Sequence, residues 1–440
     1  MSVEVPDMDE LLRLAPVARY GDWEPGEPSP SPRGGARHLS AVLPALSAAI
    51  GCPISTAVHR DSRALQHALG LPDVRSAIVV LVDGLGFWNV AMRLGHAPTL
   101  RSLMRETANQ RPMSTCEPST TVAAMATFGT GTCPGLTGMA GYTQRDPASG
   151  RMIQLIQFKE VLPPEGQQGG IRPGRTGSGV TARPQHAAPA LDPLDLQREP
   201  TVFEALKADG VRVTSCGLAK FADSPLTSAA LRGPEYVAKV TPGERVRAAA
   251  EAAREPGLTY LYIRDTDKIG HAHGWDSERW IDAFERVDGQ LAQLRRLAPR
   301  GTLIVVLADH GMVTADPVQR IDIAAEPALA RGVAQVGGEP RSLMLYAEEG
   351  QDPHDIAGRW RNRLGDSARV TLRDEAIDGG LFGPVSDRIR PMLGDIIVQA
   401  AGQITLVDTR TQGDKATRLP AVHGSQTMLE SDIPFLVDLI

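Results

Sequence analysis

The sequence predicts an α/β fold, a mostly parallel central sheet flanked by helices, with a smaller α+β insert. Three observations carry that prediction. The run 77–82 is apolar throughout and ends at Asp83-Gly84. The run 303–308 is apolar in the same way and ends at Asp309-His310-Gly311-Met312. Short all-apolar runs suit strands covered on both faces, as parallel strands are. Between 201 and 308 helical and strand patterns alternate, which implies parallel strands joined by crossover helices.

Bulk properties fit a large globular protein. A chain of 440 residues with 42% apolar and 22% charged residues can bury a sizeable core. The net charge of -6 and the lack of a long basic run give no footing for nucleic acid. No apolar stretch of about 18 residues predicts a membrane span, and the acidic N-terminus lacks a signal-peptide layout. Cys52, Cys116, Cys133 and Cys216 are scattered without C-x-x-C spacing. In a chain this long that reads as reduced thiols, so the expected location is cytoplasmic.

The elements follow in order. Residues 20–36, rich in Pro, Gly and Ser, read as a loose arm. Helical spacing covers 39–50, the first strand is 77–82, and Pro98 opens a short helix over 98–106. A small-residue helix is expected over 119–128. Residues 162–198 carry many Gly, Pro, Gln and Arg without periodicity and read as a flexible surface excursion. Helix 201–208, strand 211–215, helix 244–254, strand 258–263, helix 277–297 and strand 302–308 then alternate. Beyond 330 a strand at 342–346, a helix at 356–364 and a strand at 369–372 suggest the insert. Residues 396–400 and 404–407 read as a hairpin with Gly402 in its turn region. The expected division is an N-terminal arm and helix (1–75), a core (76–329), the insert (330–395) and the C-terminal part of the core (396–440).

The chemistry sits on residues that are ambiguous one at a time. Asp83 and Asp309 close strands where open α/β sheets place ligands, yet a polar turn gives the same pattern. Asp267 and His271, four apart, share one side of a helical turn or are folded together by a loop. A solvated loop explains them equally, and Asp265 and His273 are competing neighbours. His423-Gly424 is a lone histidine ahead of the apolar segment 434–439. Ser119, Thr120 and Thr121 are ordinary helix caps. A hydroxyl there also sits where free N–H groups and the helix dipole favour phosphate oxygens. Carboxylate oxygens and imidazoles together suit divalent metals. Three aspartates, three histidines and a threonine make a credible two-metal hydrolase site.

Order and context lift these residues together. The segments Val82-Asp83-Gly84-Leu85, Pro118-Ser119-Thr120-Thr121, Thr130-Gly131, Asp267-Lys268-Ile269-Gly270-His271, Asp309-His310-Gly311-Met312 and His423-Gly424 occur in one sequence. In that order they resemble the nucleotide pyrophosphatase/phosphodiesterase branch of the alkaline phosphatase superfamily, over roughly residues 75 to 440. The resemblance implies an alkaline phosphatase-like core and two divalent metal ions, most often zinc. One ion falls to Asp267, His271 and His423. The other falls to Asp83, Asp309 and His310, with Thr121 as nucleophile and additional ligand. Preferring Thr121 to Thr120 follows the family's spacing to Thr130-Gly131. Diesterases of the family often carry an asparagine shortly after the segment matching Gly138-Met139; that place falls to Tyr142 here.

The expected reaction is hydrolysis of phosphodiester or pyrophosphate bonds in small, nucleotide-like substrates through a phosphothreonine intermediate. The backbone N–H of Val122 is positioned to hold a non-bridging oxygen. A phosphomonoesterase or phosphonate hydrolase would share the metals but needs a cation for the extra charge, for which Arg145 and Arg341 are the candidates. A sulfatase reading rests on Cys116-Glu117-Pro118, but the motif then needs an arginine where Thr120 stands. A metal-dependent phosphosugar mutase is a further, weaker reading. A non-catalytic metal-binding module would leave Thr121 as a cap only.

Overall fold

The computed structural model describes residues 3–21, 33–164 and 189–440. Its central sheet has six strands: β1 (Ser76–Val82), β2 (Val213–Gly217), β3 (Glu235–Ala238), β4 (Gly257–Ile263), β5 (Leu303–Leu307) and β6 (Phe435–Leu439). Their spatial order is β6-β5-β1-β4-β2-β3. All neighbours are parallel except β6, which runs antiparallel to β5. β1 is central and buried along its whole length, as its all-apolar sequence requires. The strand expected at 211–215 starts two residues later, because Val211 is still spent closing the preceding helix through its bond to Leu206 O.

Register sets the site. Val82 lies beside Ile263, and Leu81 beside Leu307. Asp83, the start of the chain after β4, and Asp309 therefore emerge together at one sheet edge. Three helices frame that edge: α1 (Thr121–Thr130), α2 (Asp265–His273) and α3 (Glu278–Leu297). Trp280 of α3, fully buried, stacks on Phe284 at 5.2 Å and lies behind Gly270 of α2. In the N-terminal region the helix Val42–Ala49 is wholly buried in the same core.

A second, antiparallel sheet has seven strands. It reaches beyond the 330–395 insert. Ile396–Ala400, assigned from sequence to the core, lies between Ser342–Ala347 and Ala368–Leu372. Thr143–Arg145, Met152–Gln154 and Lys159–Glu160 extend the other side. A separate apolar cluster around Ile356, Trp360, Val398 and Leu406 backs this sheet. The hairpin expected over 396–407 does not form: Thr405–Val407 pairs in parallel with Arg320–Asp322. Apolar alternation fixes which face of a strand is buried but not its partner, and here the turn amides bond elsewhere, Ala401 N to Ser367 O and Gly402 N to Leu12 O.

Most of the expected excursion, and the middle of the 20–36 arm, lie outside the described residues. Of the excursion's described end, Pro193–Leu196 forms a helical turn. Among the described residues no helix is long and apolar enough to cross a membrane.

Candidate active site

Three histidines converge, and the backbone sets their tautomers. His271 Nδ1 is 2.8 Å from Ala421 O, His423 Nδ1 is 2.9 Å from Ser119 O, and His310 Nδ1 is 3.0 Å from Gly311 O. A carbonyl only accepts, so each Nδ1 donates, and each neutral ring turns the lone pair of Nε2 inward. Those Nε2 atoms face one another and the carboxylates. His271 Nε2 and His423 Nε2 are 3.2 Å apart, and the rings of His310 and His423 stack at 3.6 Å.

The carboxylates complete the cluster. Asp267 Oδ1 lies 3.2 Å from His271 Nε2 and 3.7 Å from His423 Nε2. His310 Nε2 lies 3.5 Å from Asp83 Oδ1 and 3.4 Å from Asp309 Oδ2. Asp309 spends Oδ1 on the amides of Gly84 and His310, both at 3.0 Å, while its buried Oδ2 has no hydrogen-bond donor among the described residues. Asp267 sits in α2, a helix that the sequence did not clearly announce because few of its positions are apolar. α2 is anchored to β1 through Asp83 O, which accepts from Asp267 N at 3.1 Å and Thr266 Oγ1 at 2.5 Å.

Two glycines allow this approach. Gly84 has φ +68°, and a Cβ there would lie 2.9 Å from Asp267 Cβ. At Gly270 a Cβ would lie 2.3 Å from Met312 Sδ, so the glycine of the Asp-x-x-Gly-His segment lets α2 pack on the chain after β5. Gly84→Ala is expected to combine left-handed strain, roughly 1–2 kcal/mol, with displacement of Asp267. A urea titration and zinc binding by equilibrium dialysis, compared with wild type, check both effects.

The charges are in tension. Burial pushes the Asp83 carboxyl well above the usual range, and Asp309 and Asp267 push it further. For Asp267 burial acts upward too, but His271, then His423 and His310, outweigh it and hold the carboxyl low. His271 is raised: burial lowers it, and the pairing with Asp267 more than compensates. His423 is driven well below its ordinary value by burial, then by His310 and His271. Crowded acids beside crowded lone pairs are what a divalent cation relieves.

Thr121 opens α1 within this cluster. Its Oγ lies 3.1 Å from His310 Nε2 and 3.5 Å from Asp83 Oδ1. Thr120, at the cap position, makes no side-chain capping bond. The first intrahelical bond runs from Ala124 N–H to Thr120 O at 2.9 Å, which leaves the N–H groups of Thr121, Val122 and Ala123 without a helix acceptor. Val122 buries its side chain, so the amide is what it can offer.

Other sequence candidates separate cleanly. Tyr142 is about 40% exposed and lies near the nucleophile loop: its amide donates to Glu339 Oε2 at 3.0 Å, and the Thr120 side chain stands close enough to that carboxyl to lower it against the upward push of burial. Its hydroxyl accepts from Gln154 at 2.8 Å. Arg145 lies over the Tyr346 ring at 5.8 Å, and Arg341 is wholly buried against Glu430. Asp265 acts on buried Arg245, and exposed His273 meets Arg279 at 3.1 Å. Two contributors escaped the sequence reading. Tyr262 donates to Asp83 Oδ2, and Glu339 reaches Thr120 from the second sheet. Tyr262 could have been found from its place near the end of β4, in register with Leu81 two residues before Asp83; Glu339, on a different sheet, had no sequence signal.

Comparison with known proteins adds to this geometry. The family model for type I phosphodiesterase / nucleotide pyrophosphatase matches residues 77–426. This chain belongs to that family. As a phosphodiesterase-family protein it is a hydrolase of the alkaline phosphatase superfamily. Among solved structures it is similar to murine ectonucleotide pyrophosphatase/phosphodiesterase 5, with 17% identity and a TM-score of 0.59, covering 82% of this chain and 87% of that one. An inactive Thr-to-Ala variant of the murine protein, in complex with AMP, has 16% identity, a TM-score of 0.59 and the same coverage. Phosphonoacetate hydrolase from Sinorhizobium meliloti 1021, in complex with phosphonoformate, has 20% identity and a TM-score of 0.57, covering 83% and 90%. At such identities these likenesses establish a shared fold. Comparison with curated protein sequences gives no match.

The phosphodiesterase family is metal-dependent, and this member's residues fit metal. Two groups bring their ligand atoms within 4.8 Å of one another: Asp267, His271 and His423, and Asp83, Asp267 and His310. The first is the set that the family resemblance implies. The second places Asp267 where the resemblance implies Asp309. Asp309 lies beside this group, with the free Oδ2 described above, and Asp267 stands between both.

Proposed function

We propose that this chain hydrolyses phosphodiester or pyrophosphate bonds in small nucleotide-like substrates through a covalent intermediate on Thr121, with two divalent ions, most readily zinc. The position of Thr121 supports this best: its hydroxyl meets both His310 and Asp83 at an open helix N-terminus. One ion falls to Asp267, His271 and His423, the other to Asp83, Asp309, His310 and the Thr121 oxygen. When bound, such ions lower the pKa of coordinated hydroxyls and offset charge on attacking and departing oxygens. Thr121 Oγ forms a bond to phosphorus as the bond to the leaving oxygen breaks, and water then cleaves the phosphothreonine to restore the hydroxyl. The Val122 amide holds a non-bridging oxygen. Tyr262 keeps Asp83 oriented through its hydroxyl bond. Arg341, wholly buried against Glu430, is not free to neutralise a monoester's extra charge, which favours the diester.

The test compares 4-nitrophenyl thymidine 5′-phosphate with 4-nitrophenyl phosphate, after chelation and after zinc is restored. Faster diester cleavage that disappears on chelation and returns with zinc is the expected result. Monoester preference would move the function to phosphatase, and turnover unaffected by chelation would remove the metal assignment.

A further inference from the structure

The second sheet sends one carboxyl in behind the nucleophile. Its strands Val333–Glu339 and Ser342–Ala347 are joined by a tight turn, Pro340-Arg341, with Glu339 paired to Ser342 at the base. Arg341 is committed to Glu430. Glu339, on the other side of Pro340, is only 5% exposed and lies where three segments of the site meet. Its Oε2 accepts from Tyr142 N at 3.0 Å. The Thr120 side chain, which makes no capping bond, stands close enough to act on the carboxyl. A Cβ at Gly424 would lie 2.5 Å from Glu339 Cγ and 3.1 Å from Oε1, so the residue after His423 is a glycine where this side chain presses on the backbone.

The nucleophile loop is already tied to the 423–425 segment at Ser119. Ser119 N donates to Gly424 O at 3.1 Å, Ser119 Oγ to Ser425 O at 2.7 Å, and His423 Nδ1 to Ser119 O at 2.9 Å. Glu339 adds a prop one residue farther on, at Thr120, directly before Thr121. Its Oε1 is buried without a hydrogen-bond donor, and no ion pair reaches the carboxyl, among the described residues. A lone buried carboxylate is costly, so the group keeps its proton. Burial pushes it up to about 8 against the Tyr142 amide and the Thr120 side chain, and Glu430 adds to the push. An uncharged acid can prop the loop without setting a negative charge behind Thr121, where an incoming phosphoryl group brings its own.

We propose that Glu339 is a positioning residue for the reaction: from the second sheet it fixes Thr120 between Tyr142 and Gly424, and so holds the Thr121 hydroxyl at the carboxylate and imidazole cluster. This rests on the hydrolase reading above and adds a residue to it that touches neither substrate nor metal.

The experiment uses the full chain, loaded with zinc, as wild type, Glu339→Met and Glu339→Gln. Met keeps the length of the side chain and fills its space but cannot hold the Tyr142 amide. Gln keeps an uncharged oxygen acceptor in the same shape. On 4-nitrophenyl thymidine 5′-phosphate, Glu339→Met is expected to lower kcat about tenfold or more with KM within about twofold, because a displaced nucleophile slows the chemistry and leaves binding alone. Glu339→Gln is expected to restore kcat to within about threefold of wild type. An unchanged kcat in Glu339→Met, a Glu339→Gln as slow as Glu339→Met, or a fall matched by an equal loss of folded protein in a urea titration overturns the proposal. The second readout needs no turnover: the methyl NMR spectrum of threonine-labelled protein, with the Thr121 resonance assigned by its disappearance in Thr121→Ser. If wild type cleaves no diester, the hydrolase reading fails, and this resonance still decides the role of Glu339. A shift in Glu339→Met that Glu339→Gln does not show supports the prop, and a resonance unmoved in Glu339→Met, or moved alike in both, overturns it.

Discussion

Thr121→Ala is expected to lower kcat on an aryl phosphodiester by on the order of 10⁴-fold or more while the protein stays folded. The size follows from chemistry with no substitute, since alanine has no oxygen to bond phosphorus. The fold should tolerate the change. Among the described residues the Thr121 hydroxyl bonds only to His310 and Asp83, and it does not cap α1. The stability change should therefore stay within about 1 kcal/mol. Thr121→Ser keeps the nucleophilic oxygen with a looser rotamer and should retain part of the activity. Three measurements check this: kcat, the thermal midpoint, and mass spectrometry of acid-quenched protein for phosphate on the 121–130 peptide. Full activity in Thr121→Ala would transfer the role to Thr120 or to water.

The parts of the site legible in sequence are those whose local pattern has one physical solution. An all-apolar run ending in aspartate, as at Asp83 and Asp309, leaves little choice but a buried strand with an acid at the sheet edge. The spacing of Asp267 and His271 left a helical face and a folded loop both open, and the structure puts the two on one face of α2. What the sequence could not carry is pairing between distant segments. The second sheet assembles strands from 143–160 and from 333–400, several only two or three residues long, and nothing local tells such strands which partner to take. Glu339 reaches Thr120 only because that sheet packs beside the loop before α1. Phe221 likewise meets Tyr262 only through the β4–β2 adjacency. The same limit explains the mistaken hairpin at 396–407.

Arg341 shows how a residue that looks functional in sequence is claimed by the fold, and its replacement should have the largest effect on stability. It is wholly buried. Its Nη2 and Nε donate to the two carboxylate oxygens of Glu430 at 2.8 and 3.2 Å, and its Nη1 donates to Ile404 O at 2.8 Å. The pair thus ties the second sheet to the segment after His423, where Glu430 also accepts from Ser425 N and Thr427 Oγ1. Arg341→Met would strand the Glu430 carboxylate, and Glu117 and Glu339 lie close enough to repel it. Breaking a buried ion pair from one side costs about 3–5 kcal/mol, a large share of the ~5–15 kcal/mol that holds a typical domain. Arg341→Met/Glu430→Leu removes both charges and should recover much of the loss, because the acid is no longer left unpaired. Urea titrations of the three proteins measure the coupling directly. A single variant of wild-type stability that instead loses substrate affinity would place Arg341 at the substrate after all. A destabilised variant whose remaining folded fraction keeps the wild-type diester-to-monoester ratio would leave recognition of charge to residues on the sheet edge itself.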